Sequence, residues 1–435
     1  MGRRKTRVPL NVFLNSRLVG QLSRKTSGAI DFRYDADWLA WEHALPVSLS
    51  MPLREDRYIG DPVVAVFDNL LPDTDHIRRR VAEKKGAQGT DAFSLLSVIG
   101  RDCVGALQFL PDGEDPDPVG SLDSEPLSDD AVSELIAGLE QSPLGMNRED
   151  DFRISVAGAQ EKTALLFKDG HWHKPKGTTP TTHILKPQIG QLPFGVDLSN
   201  SVENEYLCLK LMEAFGLKVA QTEMADFGER RVLVVERFDR RWTKDGRLIR
   251  LPQEDFCQAL SYPSTLKYQN EGGPGMVQIL ELLKASDAAL SDQFDFLKAQ
   301  VLFWLISATD GHAKNFSVFL TPGGRFRMTP LYDVISVQPS FDAGQMQRRA
   351  MKMAMSVGAK PHYRVDQIAA RHFIETAERA GVAYATVERV FEEIASDADD
   401  AFQKAEDSLP KAFPGDIVES LNKTLRAKIA SFPKG

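Results

Sequence analysis

The residues with the most chemical content lie between Thr309 and Asp333. Thr309-Asp310-Gly311-His312-Ala313-Lys314-Asn315 is followed by an apolar run (Phe316–Leu320), a Pro322-Gly323-Gly324 turn, Phe326–Met328 and Leu331-Tyr332-Asp333. Phosphoryl transfer from Mg-ATP needs a carboxylate for the attacking hydroxyl, an amide oxygen on one metal and a second carboxylate bridging the metals. Asp310, Asn315 and Asp333 supply those groups in that order. The step from Asp310 to Asn315 equals the Asp-to-Asn step of a protein-kinase catalytic loop. A hairpin with a Gly-Gly turn would return the chain so that Asp333 faces the same metals. Taken alone, Asp310 and Asp333 read as turn and cap residues, because Asp-Gly is a common turn dipeptide.

Upstream segments weigh against that plain reading, because the other parts of an ATP site occur in order. Ser155-Val156-Ala157-Gly158-Ala159-Gln160-Glu161-Lys162 is a small-residue loop entering a strand, Thr163–Phe167. Small side chains let backbone N–H groups approach phosphate oxygens. The loop lacks the Gly-Lys-Ser/Thr of a Walker A motif, and on its own a simple turn fits it as well. Lys186 ends the strand Thr182–Leu185 on the face shared with Ile184. If buried, it needs an anion: ATP phosphates, or Glu203 or Glu205 on the following helix. Arg231–Val235 is a β-branched run ending in Glu236-Arg237-Phe238, suited to reading an adenine ring or to an ordinary buried strand. Gly272-Gly273-Pro274-Gly275 does not complete a dinucleotide fingerprint, and His171 with His173 is too little for a metal site. There is no Gly-x-Ser-x-Gly elbow.

Positioning these groups requires sheets and helices, which the hydrophobic pattern places. Leu10, Val12 and Leu14 alternate, Asn15-Ser16-Arg17 supplies a turn, and Ile30, Phe32 and Tyr34 alternate again, predicting a β-rich start. Ile77–Lys85 reads as a basic helix and Ser201–Phe215 as a long one. Pro111–Asp130, rich in Pro, Asp, Ser and Gly, reads as a linker or surface loop. Beyond Tyr363 the text is mostly helical, with Val387, Val390, Phe391 and Ile394 at helical spacing. A length of 435 residues allows two to four structural units by the usual size of about 100–200 residues per domain. With Lys+Arg 53 against Asp+Glu 61, the net charge of −8 disfavours a protein whose main task is coating nucleic acid. Cys103, Cys208 and Cys257 lie far apart and read as reduced cytosolic thiols. No stretch approaches the roughly 20 apolar residues of a membrane span, and the basic start (Arg3 to Arg7) does not lead into a signal-peptide core.

The chain resembles the HipA family of bacterial kinase toxins. Its most specific strings are Val66-Phe67-Asp68-Asn69-Leu70-Leu71-Pro72, Phe152 through Leu166, Val235 through Arg241, Leu251 through Asp255, and Thr309 through Phe319. The segment Val337 to Tyr363 is not matched with them. The resemblance implies an α+β, protein-kinase-like bilobal fold with a β-rich N-terminal subdomain and an all-helical C-terminal lobe. It implies that residues 1–115 are that subdomain, 116–145 a linker or surface segment, 146–255 the rest of the N-lobe and 256–435 the helical C-lobe. It also implies roles: Asp310 as catalytic base, Asn315 and Asp333 on Mg²⁺, and His312, Ala313, Lys314, Asn315, Tyr332 and Asp333 around ATP. Ala157, Gly158, Ala159, Gln160, Glu161 and Lys162 would form the phosphate loop, Lys186 would contact phosphates, and Glu236, Arg237 and Phe238 would form the hinge. Ser155 would be an autophosphorylation site, whose phosphate would repel those of ATP. The implied partner is a dimeric helix-turn-helix antitoxin on operator DNA, and the implied target glutamyl-tRNA synthetase. Arg348, Arg349 and Lys352 are a candidate DNA patch, a solvated helix face being the simpler reading. The rivals are a small-molecule kinase of the aminoglycoside type and a non-catalytic module acting with an antitoxin on DNA.

Overall fold

A computed structural model describes residues 8–147, 150–192 and 195–432; the basic stretch Arg3 to Arg7 lies outside them. The alternating start folds as an antiparallel sheet of five strands in the order Tyr58–Ile59, Ile30–Tyr34, Arg17–Arg24, Leu10–Leu14, Leu107–Pro111. Asn15 and Ser16 both take positive φ (46° and 65°), the turn that matches the twist of a two-residue hairpin. Helices Asp61–Asp68, Asp75–Lys85 and Ala92–Ile99 pack with this sheet in one apolar core. The basic helix has clear ends: Thr74 accepts from Ile77 N–H at one, and Gly86 takes the left-handed conformation (φ 70°) at the other.

A second antiparallel sheet carries the lysine strand at its centre. Its order is Thr222–Phe227, Arg230–Glu236, His183–Pro187, Thr163–Lys168, His171–Pro175, Ser124–Leu127. The segment 116–145, expected as a linker or surface segment, holds that edge strand and a helix, Asp129–Ala137. The helix is capped by Ser128 and buries only Val132 and Ile136, too few apolar residues for a strong periodic signal. The strand is held through backbone pairing with His171–Pro175, which composition does not encode. Helix Ser201–Ala214 packs beside the sheet, against Thr222–Phe227 and Arg230–Glu236.

The C-terminal lobe is built on helices Met276–Leu283, Ala289–Leu305, Ala370–Arg379, Tyr384–Asp407 and Gly415–Ile429. Val387, Val390, Phe391 and Ile394 form the buried stripe of the fourth. The lobe is not wholly helical as expected. It also holds a three-stranded sheet (Gln253–Asp255, Ser317–Thr321, Arg325–Met328) and a hairpin (Lys352–Val357, His362–Arg364). Only Val357 of the strand Lys352–Val357 is a β-branched residue, so its strand preference is weak in the sequence. Under the Thr309–Asn315 loop lie Phe296, Phe303 and Phe316, with ring centroids 5.1 and 5.7 Å from Phe316. Gly311 rests on that layer, and a Cβ there would sit 2.5 Å from the Phe303 ring.

Candidate active site

The loop bearing Asp310 is braced where it leaves helix Ala289–Leu305. Ser307 turns the chain at φ 57°, its carbonyl accepts Val337 N–H, and Ser336 Oγ donates to Ile306 O at 2.5 Å. Lys428 Nζ reaches from the last helix to Trp304 O (2.6 Å) and Ser307 Oγ (2.9 Å). Inside the loop His312 N–H bonds Asp310 O and Asn315 N–H bonds His312 O, which fixes Asp310 and Asn315 relative to each other. Asp310 accepts from the Tyr268 hydroxyl at 2.6 Å. Burial and the nearby Asp333 raise the Asp310 carboxyl above the ordinary aspartate value, with the Tyr268 bond acting against them. Burial, reinforced by the Lys267 charge, takes the His312 imidazole down to about 3.

Asp333 is the centre of charge. It sits at φ 60°, a sparsely populated conformation for a residue with a side chain. Lys186 Nζ donates to Asp333 Oδ1 at 2.9 Å and to Glu205 Oε1 at 2.7 Å. Of the two carboxylates open to Lys186 from sequence, Glu205 is the partner; Glu203 instead takes Arg231 and Gln188. Burial opposes the Lys186 charge, but Asp333 and Glu205 raise its pKa well above the lysine value. Lys186 and Lys162 together hold Asp333 well below the usual carboxylate range against its desolvation. Asn315 Nδ2 donates to Asp333 Oδ2 and O, each at 3.2 Å, which leaves Asn315 Oδ1 buried with no partner among the described residues.

The small-residue loop closes over this centre. Gly158 takes φ 114°, a conformation that favours glycine, and a Cβ on it would lie 2.3 Å from Lys162 Nζ and displace that ammonium. Lys162 Nζ is tied to Ala157 O at 2.7 Å, and burial next to Lys186 lowers it to about 8. The loop is stitched to the N-terminal subdomain: Asp73 N–H bonds Gly158 O, and Ser155 Oγ donates to Leu70 O at 2.7 Å with Ser155 fully buried. Gln160 bonds Pro187 O, Glu161 pairs with Arg80, and Ala159 stands exposed at the tip. On the far side Phe238 and Tyr332, 5.7 Å apart, pack with Ile184 on Val235 and Ala220. A cavity of about 450 Å3 opens there between Glu236, Phe238, Gln221 and Pro330.

Two side chains expected at the ATP site are engaged elsewhere. The Lys314 side chain turns into the protein, to Asn69 O (2.9 Å), Asn69 Oδ1 (2.7 Å) and Asp255 (3.2 Å). Arg237 is buried among Asp239, Asp102 and Thr181. Each side chain is consumed by a buried polar network. The backbone N–H groups of Glu236 and Arg237 are also taken, by Gln221 O and Thr182 O. Sequence reasoning missed Tyr268 and Asp73, whose partners lie far away in the chain; Asp73 pairs with Lys267 at 2.7 Å.

A family model described as the HipA-like C-terminal domain matches residues 154–402, and one described as the HipA N-terminal domain matches 10–110. The chain belongs to the HipA family. It is 36% identical over 355 residues to Y4mE of Sinorhizobium fredii, a protein named as a kinase, with 81% of each chain covered. It is 28% identical over 341 residues to the serine/threonine-protein kinase toxin HipA of Shewanella oneidensis, covering 75% of each. The solved Shewanella oneidensis HipA, in complex with HipB and operator DNA, superposes with a TM-score of 0.79 at 24% identity over 97% of both chains, so the two share one fold.

For a HipA-family kinase the donor set at Asp333 is instructive. No group of three or more His, Cys, Asp or Glu residues able to hold a metal occurs among the described residues. Asp333 and the unpartnered Asn315 carbonyl offer one carboxylate and one neutral oxygen. Few protein ligands of oxygen type, completed by water and phosphate, suit Mg²⁺ rather than a transition metal.

Proposed function

We propose that this HipA-family kinase transfers the γ-phosphoryl group of Mg-ATP to serine or threonine of a protein, as the toxin of a type II toxin–antitoxin pair. The observation that carries the reading is Lys186 joined to Asp333, with Asn315 on the other side of the same carboxylate. Lys186 and Lys162 would meet phosphate oxygens, and Asn315 and Asp333 would hold Mg²⁺, which spreads the charge developing on the phosphates. The adenine would lie against Phe238 and Tyr332. Asp310, raised in pKa by its surroundings, is suited to accept the proton of the attacking hydroxyl.

Self-inactivation at Ser155 agrees with this arrangement. The hydroxyl is buried against Leu70 O, so it reaches a base only when the loop leaves the Leu70–Asp73 segment. A phosphate there adds about two negative charges and does not fit back. The expected target is glutamyl-tRNA synthetase. The expected partner is a dimeric helix-turn-helix antitoxin, through which the toxin meets operator DNA and acts as corepressor; the family's solved complex supports that pairing. The three buried thiols and the lack, among the described residues, of any helix able to cross a membrane suit a cytoplasmic place. The test is mass spectrometry after incubation with ATP, Mg²⁺ and glutamyl-tRNA synthetase. Phosphate is expected on the synthetase and on Ser155. An unmodified synthetase would refute the target, and an unmodified Ser155 the self-inactivation.

A further inference from the structure

Beside Asp310 the surface opens into a cleft of about 340 Å3, separate from the cavity at Phe238. One wall carries Tyr268. The other is the hairpin Lys352–Val357 and His362–Arg364, tied to the catalytic loop by the Ala354 N–H bond to Thr309 O (2.9 Å). Two independent features indicate what this cleft takes.

The first is the Tyr268 phenol, which donates to Asp310 Oδ1 at 2.6 Å. An acceptor alcohol must make that same bond to its base before transfer. The second is charge at the rim. Lys352 and Arg364 stand directly opposite each other across the hairpin, where like charges repel. Arg364 is matched by Asp366 at 2.7 Å, but among the described residues Lys352 has no carboxylate partner, and neither have Arg348 and Arg349 just before it. Residues 348–350 form a short 3₁₀ turn and Lys352 lies on a strand, so this group is not the solvated helix face expected from sequence. Lys352 lines the cleft together with Asp310.

We propose that this cleft is the acceptor site, and that it takes a polypeptide segment whose serine or threonine replaces the Tyr268 phenol on Asp310 and whose neighbouring Asp or Glu pairs with Lys352. The assignment rests on the phosphotransfer reading. In the step it serves, the acceptor oxygen bonds to the γ-phosphorus as the bond to the β–γ bridging oxygen breaks; ADP departs and the hydroxyl proton passes to Asp310. Tyr268 holds the base until the acceptor displaces it.

The test uses the full chain with labelled ATP, Mg²⁺ and serine-centred peptides flanked by either Glu or Lys. The wild type is expected to label the Glu set about five-fold faster, the size of one part-exposed ion pair. Lys352→Ala should abolish the preference and Lys352→Glu reverse it, with thermal melts confirming that both variants fold. Tyr268→Phe should lower the peptide KM, because the competing phenol is gone, whereas a merely structural tyrosine would lower kcat instead. Equal rates for the two sets, or a preference that survives Lys352→Glu, overturn the proposal. So does a Lys352→Glu effect confined to operator-DNA retention, which would assign the charge to nucleic acid. If no peptide is labelled while Ser155 is, the acceptor assignment fails and phosphotransfer stands; if nothing is labelled, phosphotransfer itself fails.

Discussion

Replacing Lys186 by methionine separates what the lysine does for stability from what it does for chemistry. Its ammonium bonds two carboxylates, at 2.7 and 2.9 Å, with side-chain exposures of 8% for Lys186, 3% for Glu205 and 39% for Asp333. Removing one member of a buried pair strands the other charge and costs about 3–5 kcal/mol. The Asp333 half is more than a third exposed, so water screens it and it adds at most about 1 kcal/mol. Glu205 limits the loss by taking up a proton, a change that burial and Asp333 already favour. Lys186→Met should therefore lose about 3 kcal/mol in urea unfolding at pH 7. Lys186→Met with Glu205→Leu should recover to within about 1 kcal/mol of the wild type, because an apolar replacement of both partners leaves no stranded charge. Neither variant should transfer phosphate. A loss of only a few tenths of a kcal/mol in the single variant, or a double variant no more stable than the single one, would refute the reasoning.

Other outcomes follow from the same geometry. Gly158→Ala forces a Cβ to 2.3 Å from Lys162 Nζ at φ 114°, and should weaken ATP binding by about ten-fold or more in a nucleotide titration. Asn315→Ala removes the unpartnered oxygen proposed to hold Mg²⁺, and should raise the Mg²⁺ needed for half-maximal turnover by about ten-fold while sparing metal-free nucleotide binding. Lys428, lowered by burial to about 7, is penalised for its charge below that pH and freed of the penalty by about 10.5. Between those limits the unfolded chain binds more protons, so wild-type stability should rise by about 2–4 kcal/mol relative to Lys428→Met, read by urea melts across the range. Tyr268→Phe removes the bond that lowers the Asp310 pKa in the free enzyme, and should move the acid limb of the kcat/KM profile to higher pH.

What the sequence made legible was local. Asp310 and Asn315 share a seven-residue loop, and the hairpin Ser317–Thr321 with Arg325–Met328 carries the chain back to Asp333. The alternation around Ile184 and Lys186 placed the lysine on its strand. The choice between Glu203 and Glu205 was not legible, because both lie on helix faces that carry apolar residues and only packing on the sheet selects one. Lys314 and Arg237 read as cleft residues because nothing nearby in the chain announces their partners: Asn69 lies 245 positions from Lys314, and Asp102 lies 135 from Arg237. Tyr268 is 42 positions from Asp310 in an irregular loop with no periodic signal. The strand Ser124–Leu127 is defined by backbone pairing alone, in a segment whose side chains read as loop.

The most direct measurement is transfer of labelled γ-phosphate from Mg-ATP to serine or threonine by the wild type and by Asp310→Asn, with ATP affinity measured in parallel. Removing a positioned base costs about 10²–10⁴ in rate. The account predicts a loss of that size at unchanged ATP affinity. Label appearing at the wild-type rate in Asp310→Asn, or no label from the wild type, would contradict it.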